Sequence, residues 1–533
     1  MSTDVTAVDG TQDHKPRLSV PVAALVGVLA LASALAAGHL VAAFVGLNAS
    51  PYLAVGNSAI DLTPSWLKDF AIETFGDKDK LVLLASMAVV MVVLAAIAGV
   101  LSRRSALIGT VLIAVFGLIG MVAVFNRPGL GQLSLLAPVA SLVAGVLVFR
   151  WLHSLAMRRA AAAERDASTE EGQEESGDPN RRRFLVGAGG VAVGAGVVGL
   201  GGQLVSGVRD ASASRAAIGA FELAEKAPPI PADAAFPKLG TPPFITPNNQ
   251  FYRVDTALVV PQVRAEDWSL RIHGMVDREI TLDFDDIRNR PLIERTITMT
   301  CVSNPVGGEY ISTANFIGIE LRDVLNEAGV RQGAEQLFST SEDGWTCGTP
   351  VEAALDPARG AMLAIGMNGE PLPLEHGFPV RMVIPGLYGY VSATKWVRDM
   401  EITTWEARNA YWLNRDWAER APIKTMSRID APKGFANLSA GKVVVAGIAW
   451  AQTIGIAKVE VRLDDGPWQE AELGAVVNDR TWRMWQIALD VPPGNHKVIS
   501  RATDESGYTQ TEERVGTVPD GATGQPTVVF NTA

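Results

Sequence analysis

The chain has two cysteines, Cys301 and Cys347, and six histidines: His14, His39, His153, His273, His376 and His496. No Cys-x-x-Cys occurs, so the spacing offers no zinc ribbon, iron–sulfur or covalent haem motif. The histidines are scattered with no His-x-x-x-His pair, and a protein-ligated zinc or non-haem iron site is not expected. Cys301 has the best placement for chemistry. It ends the β-branched stretch Arg295-Thr-Ile-Thr-Met-Thr300 and opens into Val302-Ser-Asn-Pro-Val-Gly-Gly-Glu309. A cysteine that leaves a strand into an Asn-Pro and Gly-Gly loop sits where a pocket surface forms. A free cysteine is more often a small buried apolar side chain. Cys347 is read that way, as a structural thiol.

Around Cys301 the pattern is mixed. Ser269–Ile272, Arg295–Thr300 and Gln336–Ser339 read as strands. Asp285–Arg290 and Gly318–Ala328 read as short helices, the latter on the spacing of Leu321, Leu325 and Ala328. Pro-rich sequence over Ala227–Pro247 reads as an extended arm leading in. Past Ala421 the character changes. Lys442–Trp450, Ala457–Leu463, Trp482–Leu489 and His496–Ala502 read as strands separated by Asp464-Asp-Gly466, Pro492-Pro-Gly-Asn495 and Glu505-Ser-Gly507 turns. Short strands with regular turns predict an immunoglobulin-like β-sandwich after an α+β domain.

The first half has a different solvent. Hydrophobic residues make up 48% of the chain and charged residues 19%, too apolar a balance for a soluble protein of 533 residues. Val20–Leu47, Leu81–Leu101, Ala106–Phe125 and Leu133–Phe149 carry no charge, and each approaches the roughly 20 residues a bilayer core needs. Lys15 and Arg17, Arg103 and Arg104, and Arg150, Arg158 and Arg159 fall on one side of these spans, which places the cytoplasm there. Glu170, Glu171, Glu174 and Glu175 mark Ala160–Asn180 as a disordered cytoplasmic linker. Arg181-Arg-Arg-Phe-Leu185 then opens a Gly-rich apolar run, read as a fifth span bearing a twin-arginine signal. Gly187–Gly190 superficially matches a dinucleotide loop, but charged linker rather than a strand precedes it. A twin-arginine route carries folded domains, so the signal itself hints at a cofactor inserted before export. The predicted organisation is residues 1–19 cytoplasmic, 20–153 four spans, 154–183 linker, 184–205 fifth span, 206–246 arm, 247–420 catalytic and 421–533 sandwich, with the catalytic part outside the cytoplasm. A net charge of −11 argues against nucleic acid as a partner.

Thr300-Cys301-Val302-Ser303-Asn304 resembles the molybdenum-ligand segment of the sulfite-oxidase family. Four further segments are similar and stand in the family's order: Asn248-Asn-Gln-Phe-Tyr-Arg253; Leu270-Arg-Ile-His-Gly274; His376-Gly-Phe-Pro-Val-Arg381 through Val383-Ile-Pro-Gly-Leu-Tyr-Gly389; and Ser392-Ala-Thr-Lys-Trp396. The resemblance covers Pro247–Val529, including the dimerisation domain the family shares. It implies a molybdenum–molybdopterin cofactor with one dithiolene and Cys301 thiolate as the protein's metal ligand. Asn248 or Asn249, Tyr252 and Arg253 would line the cofactor, and Thr340, His376, Arg381, Thr394 and Lys395 would hold the pterin and its phosphate. Cys301, Tyr252 and Arg253 would be the catalytic set for two-electron oxygen-atom transfer on a small or sulfur-containing substrate. The resemblance also implies a homodimer through 421–533. No haem is expected in the chain, and electrons would pass to an external or membrane redox partner, a cytochrome or quinone system.

Sulfite oxidases usually carry arginines just after the ligand cysteine. Val302–Gly308 has no Arg or Lys, which turns attention from sulfite. The Asn248–Tyr252 segment also resembles the periplasmic protein-methionine-sulfoxide reductase catalytic subunit, so an S- or N-oxide reductase is one alternative. A metal-free membrane-anchored binding or scaffold protein with the same fold is the alternative of another class. A transporter would place ionisable groups inside its spans, and here only His39 lies in mid-span.

Overall fold

The computed structural model describes residues 16–64, 67, 70, 74–75, 78–127, 130–168, 179–208, 210–237 and 239–533. Most of the expected cytoplasmic N-terminus and the Glu170–Glu175 stretch of the expected linker lie outside the described residues. The chain divides into two compact units, Met1–Arg209 and Asp210–Ala533.

The first unit is helical: α1 (Val20–Val45), α2 (Pro51–Leu62), α3 (Asp79–Leu101), α4 (Ala106–Phe125), α5 (Leu136–Ser168) and α6 (Pro179–Val208). Five of these, all but α2, are long and apolar enough to cross a bilayer by length and composition, the pattern of a multi-pass membrane protein. Val89, Val90, Val93 and Ile97 stand exposed on α3, as a lipid-facing surface requires. Inside the bundle small residues bring backbones together. A Cβ on Gly27 would fall 2.0 Å from Ala95 O, and one on Gly99 would fall 2.0 Å from Ala23 O, so α1 and α3 cross at van der Waals contact of their main chains. Two features differ from the sequence-based expectation. The Asn48–Lys80 loop contains α2. The fourth span continues as helix to Ser168, well into the stretch read as linker.

The second unit opens with α7 (Ala211–Ile218) and then carries strands β1 (Leu223–Glu225), β2 (Ser269–Gly274), β3 (Ile280–Asp283), β4 (Leu292–Thr300), β5 (Ile311–Glu320), β6 (Gln336–Ser341), β7 (Thr346–Pro350), β8 (Met362–Met367), β9 (Glu370–Pro371), β10 (Arg381–Val383) and β11 (Val397–Thr403). Short helices α8 (Phe284–Arg288), α9 (Leu321–Ala328) and α10 (Val351–Leu355) sit between them. Two sheets result, ordered β1-β4-β5-β8-β10, with β9 beside β8, and β3-β2-β11-β6-β7. The fold is therefore mixed α/β, as expected. The arm is not merely extended, since β1 pairs in parallel with β4. α9 is shorter than expected because Gly318–Glu320 belong to β5.

A β-sandwich follows: β12 (Met426–Ala431), β13 (Asn437–Leu438), β14 (Gly441–Trp450), β15 (Ile456–Leu463), β16 (Gln469–Glu470), β17 (Glu472–Leu473), β18 (Arg483–Val491), β19 (Gly494–Asp504) and β20 (Thr527–Thr532). One sheet runs β12-β14-β18-β17 and the other β13-β20-β19-β15-β16. Val445, Val459, Val461, Trp485, Val498 and Phe530 fill the space between them. Each expected strand is present to within a few residues, because alternation with one buried face is the signal a sandwich leaves in sequence.

Candidate active site

The site gathers where strands of both sheets end. Cys301 follows directly on β4 and is 8% exposed. Its N–H donates to Tyr310 O at 3.0 Å, and its carbonyl accepts from the Asn304 N–H at 3.1 Å. Asn304 Oδ1 accepts from the Tyr310 N–H at 2.9 Å, so the Asn-Pro loop closes on itself and holds the cysteine at its base. Burial pushes the Cys301 thiol up, while hydrogen bonds from Ser303 and the charge of Lys395 pull the other way.

Facing it is the segment after the arm. The Tyr252 N–H donates to Ser312 Oγ at 3.2 Å, and the Phe251 and Tyr252 rings stack at 5.4 Å. Phe251 meets the His376 ring edge-on at 5.4 Å. Burial, then the nearby Cys301, raises the Tyr252 hydroxyl, so it stays protonated and can donate.

The third wall is cationic. Arg381, at the start of β10, is 2% exposed, and burial lowers it to about 10. Lys395 Nζ donates to Asp255 Oδ2 and to Glu375 O, both at 3.0 Å, and burial lowers it to about 8. Arg253 Nε shares the same Asp255 oxygen at 3.0 Å. Gly377, at φ +110°, lets the chain pass between the two buried cations: a Cβ there would lie 3.1 Å from Arg381 Cβ and 3.1 Å from Lys395 Cα. His376 is lowered to about 3 by burial, Lys395 and Arg381. A neutral imidazole with Nε2 3.1 Å from Asn248 O carries its proton on that nitrogen, leaving Nδ1 as an acceptor.

Among the described residues, three buried polar atoms here have no partner, Arg381 Nε, His376 Nδ1 and, beside Cys301, Thr300 Oγ1. Such groups are costly unless something fills their demand. Arg253 and Lys395 share one carboxylate, Asp255, Arg381 donates to His376 O, and the carboxyl of Asp343 is itself raised by burial and then by Asp255. A buried donor and acceptor within a positive surplus fit an anion joined to a heterocycle, and a thiol stands opposite. The residues present therefore fit a phosphorylated pterin with a thiolate-bound metal.

Tyr252, Arg253, Cys301, His376, Arg381 and Lys395 thus come together. Asn248 takes part through its carbonyl; its side chain is engaged by Glu370 at 2.5 Å and Asn368 at 2.8 Å. Asn249 is exposed. Thr394 is fully buried with its hydroxyl 2.7 Å from Ser339 Oγ. Thr340, the next residue along β6, lies on the strand's other, half-buried face. Ser339 and Asp255 were missed by the sequence reading. Asp255 had a signal, a carboxylate two residues beyond Arg253. Cys347 is fully buried in β7, its sulfur 3.7 Å from Thr349 Oγ1.

Comparison with known proteins places the chain among molybdopterin oxidoreductases. Residues 257–412 match the oxidoreductase molybdopterin binding domain, and residues 421–520 match the Mo-co oxidoreductase dimerisation domain. The chain is 31% identical over 330 residues to mitochondrial sulfite oxidase of Macaca fascicularis, covering 53% of this chain and 60% of that protein. It is 30% identical over 320 residues to sulfite oxidase of Gallus gallus, covering 50% of this chain and 68% of that protein. It is 36% identical over 155 residues to the uncharacterized oxidoreductase YuiH of Bacillus subtilis, covering 28% of this chain and 74% of that protein. The chain spans about 60% of the length of the mitochondrial sulfite oxidase.

Proposed function

The chain belongs to the sulfite-oxidase family of molybdopterin oxidoreductases, and from that premise we propose that it catalyses two-electron oxygen-atom transfer on a small sulfur-containing substrate at a membrane-anchored site outside the cytoplasm. The observation that carries this reading is a buried cation, Arg381, beside the neutral His376, each with an unmatched polar atom, close to Cys301. When bound, the cofactor supplies a two-electron metal couple and a transferable oxygen.

The chain's own residues do the rest. Cys301 holds the metal as thiolate, a form that a bound metal favours outright. Arg381 grips the phosphate with its planar fork and Lys395 adds a point charge. His376, kept in register by Asn248 O, would offer Nδ1 as an acceptor to the pterin. Tyr252, kept protonated by burial, would offer its hydroxyl as a donor beside Cys301. Arg253, 40% exposed at its side chain, stands at the rim and draws a polar substrate in. Relatives named sulfite oxidase make sulfite the first substrate to try. The absence of Arg and Lys from Val302–Gly308 favours a less charged one, so sulfoxides and N-oxides are to be assayed in the reducing direction. The matched dimerisation domain supports a homodimer. Electrons leave to a membrane or external redox partner. The basic residues flanking the spans support the outward placement.

The test is molybdenum and pterin content of the full chain in detergent, wild type beside Cys301→Ser. About one molybdenum per chain is expected on the family's cofactor stoichiometry, with the serine variant inactive and altered in its Mo(V) resonance. A folded protein without metal, made in a host that builds the cofactor, would move the reading to a binding or scaffold protein.

A further inference from the structure

The two edges of β4 are completed by different means. One pairs with β5 along its whole length, from Ile293 opposite Gly318 to Thr300 opposite Ile311. The other meets β1 only at Leu292 and Ile293. Beyond that point, where β4 approaches Cys301, no strand lies alongside it among the described residues. An edge of this kind leaves main-chain donors and acceptors to be satisfied, and Thr296–Thr300 are buried.

The sandwich fills the edge with two loops from one of its ends, those following β14 and preceding β18. The Thr298 N–H donates to Arg480 O at 3.0 Å. Gln452 Nε2 donates to Thr298 O at 2.8 Å. The Trp482 N–H donates to Thr298 Oγ1, also at 2.8 Å. Both main-chain groups of a residue three before Cys301 are thus held by the neighbouring domain, and its hydroxyl joins the Trp482 N–H to Thr313 Oγ1 of β5. Trp482 also reaches the opposite wall: its ring lies edge-on to Phe244 at 6.4 Å, in the segment that runs on to Tyr252. Ile448, Trp450, Trp482 and Met484 belong to the core of the catalytic fold rather than to the sandwich's own core.

We propose that Gln452 and Trp482 are positioning residues for Cys301: by completing the free edge of β4 they fix the depth and direction at which the thiolate is presented, so the sandwich serves the reaction as well as the assembly. This rests on the reading of Cys301 as metal ligand. Plain adhesion between domains would lower stability and leave the cysteine's surroundings alone. Val498, fully buried in the sandwich core away from β4, supplies that comparison.

The experiment compares Gln452→Leu, Thr298→Val and Val498→Ala in the full chain. Two quantities are read besides melting temperature: amide hydrogen exchange over residues 296–301, with and without cofactor, and the Mo(V) resonance. Loss of one buried hydrogen bond should speed exchange there roughly tenfold. Exchange over Met362–Met367 should stay put in Gln452→Leu and Thr298→Val, and their resonance should shift. Val498→Ala should lower the melting temperature and change neither. If all three variants lower the melting temperature alike while exchange at 296–301 and the resonance are unmoved, the proposal is overturned. If Gln452→Leu does not fold, Gln452→Met, which removes the same donor from Thr298 O with less change of shape, decides. A protein that binds no molybdenum would sink the ligand reading, whereas the exchange result would still report whether the sandwich fixes β4.

Discussion

Lys395 is a cation where water hardly reaches it, and that makes its charge conditional. Burial lowers its pKa to about 8 despite Asp255, so in the cofactor-free protein the ammonium is lost as pH rises through that value. Between there and the ordinary lysine range the unfolded chain binds the extra proton, so this group makes the cofactor-free protein more stable as pH rises. Anion binding has the opposite sign. Inorganic phosphate should bind cofactor-free protein more weakly above pH 8 than below it. Lys395→Met should remove that step, as read by calorimetric titration at several pH values; a pH-independent affinity in the wild type would count against Lys395 as a phosphate ligand. Gly377 tests the same cradle sterically. At its φ of +110° a side chain is strained, and the 3.1 Å approach would force Arg381 and Lys395 to give way to a methyl group. Gly377→Ala should cost about 1–3 kcal/mol and lower both melting temperature and molybdenum content. Normal content in a destabilised variant would mean the cradle does not hold cofactor.

At the scale of elements the hairpin joining β18 to β19 has a pinned end. His496 Nδ1 lies 2.8 Å from Asp464 Oδ2, and Nε2 lies 2.8 Å from Pro492 O. Both partners only accept, so both nitrogens must donate, which only imidazolium can do. The hydrogen bond to Asp464 raises His496, while burial of Asp464 is outweighed by its bonds to Lys497 and His496 and its carboxyl is lowered. A raised histidine contributes stability that is fully present below about pH 6.5 and lost as pH rises through its folded value; a lowered aspartate contributes above about pH 3.8 and loses it as pH falls. The sandwich should therefore resist denaturant better at pH 6 than at pH 8.5, and His496→Gln should flatten that difference. An unchanged slope would contradict the double donation. The strands flanking this hairpin were legible in sequence because turn residues and alternation agree there. β5 was not legible: nearly every residue from Ile311 to Ile319 is buried, so no alternation survives. The helical spacing of Leu321, Leu325 and Ala328 then drew the reading back into its end. Cys301 and the cations were found through motif order. Ser339, bonded to Thr394, is not marked by the motifs that point to Thr340, because one residue of register decides which face a strand side chain takes, and the Gln452 contact depends on a partner some 150 positions away along the chain.

For the whole molecule the open question is which side of the membrane each unit occupies, and the chain's chemistry makes it measurable. Cys301 and Cys347 are both buried, so neither should react quickly with a membrane-impermeant maleimide, and a single introduced cysteine reports its own side. Ser105, in the short connection between α3 and α4, and Glu512, beyond β19, are both exposed. If Arg103, Arg104 and Arg181–Arg183 hold their ends of the helices in the cytoplasm, intact cells should label Glu512→Cys and spare Ser105→Cys, with both labelled after lysis. Changing Arg181 and Arg182 to Lys should then trap the second unit inside and abolish Glu512→Cys labelling, since a folded, cofactor-bearing domain would have lost its export signal. Labelling of Ser105→Cys in intact cells would invert the arrangement. Undiminished labelling of Glu512→Cys in the double-lysine variant would show that α6 crosses as an ordinary span, and the argument that the cofactor is inserted before export would lose its support.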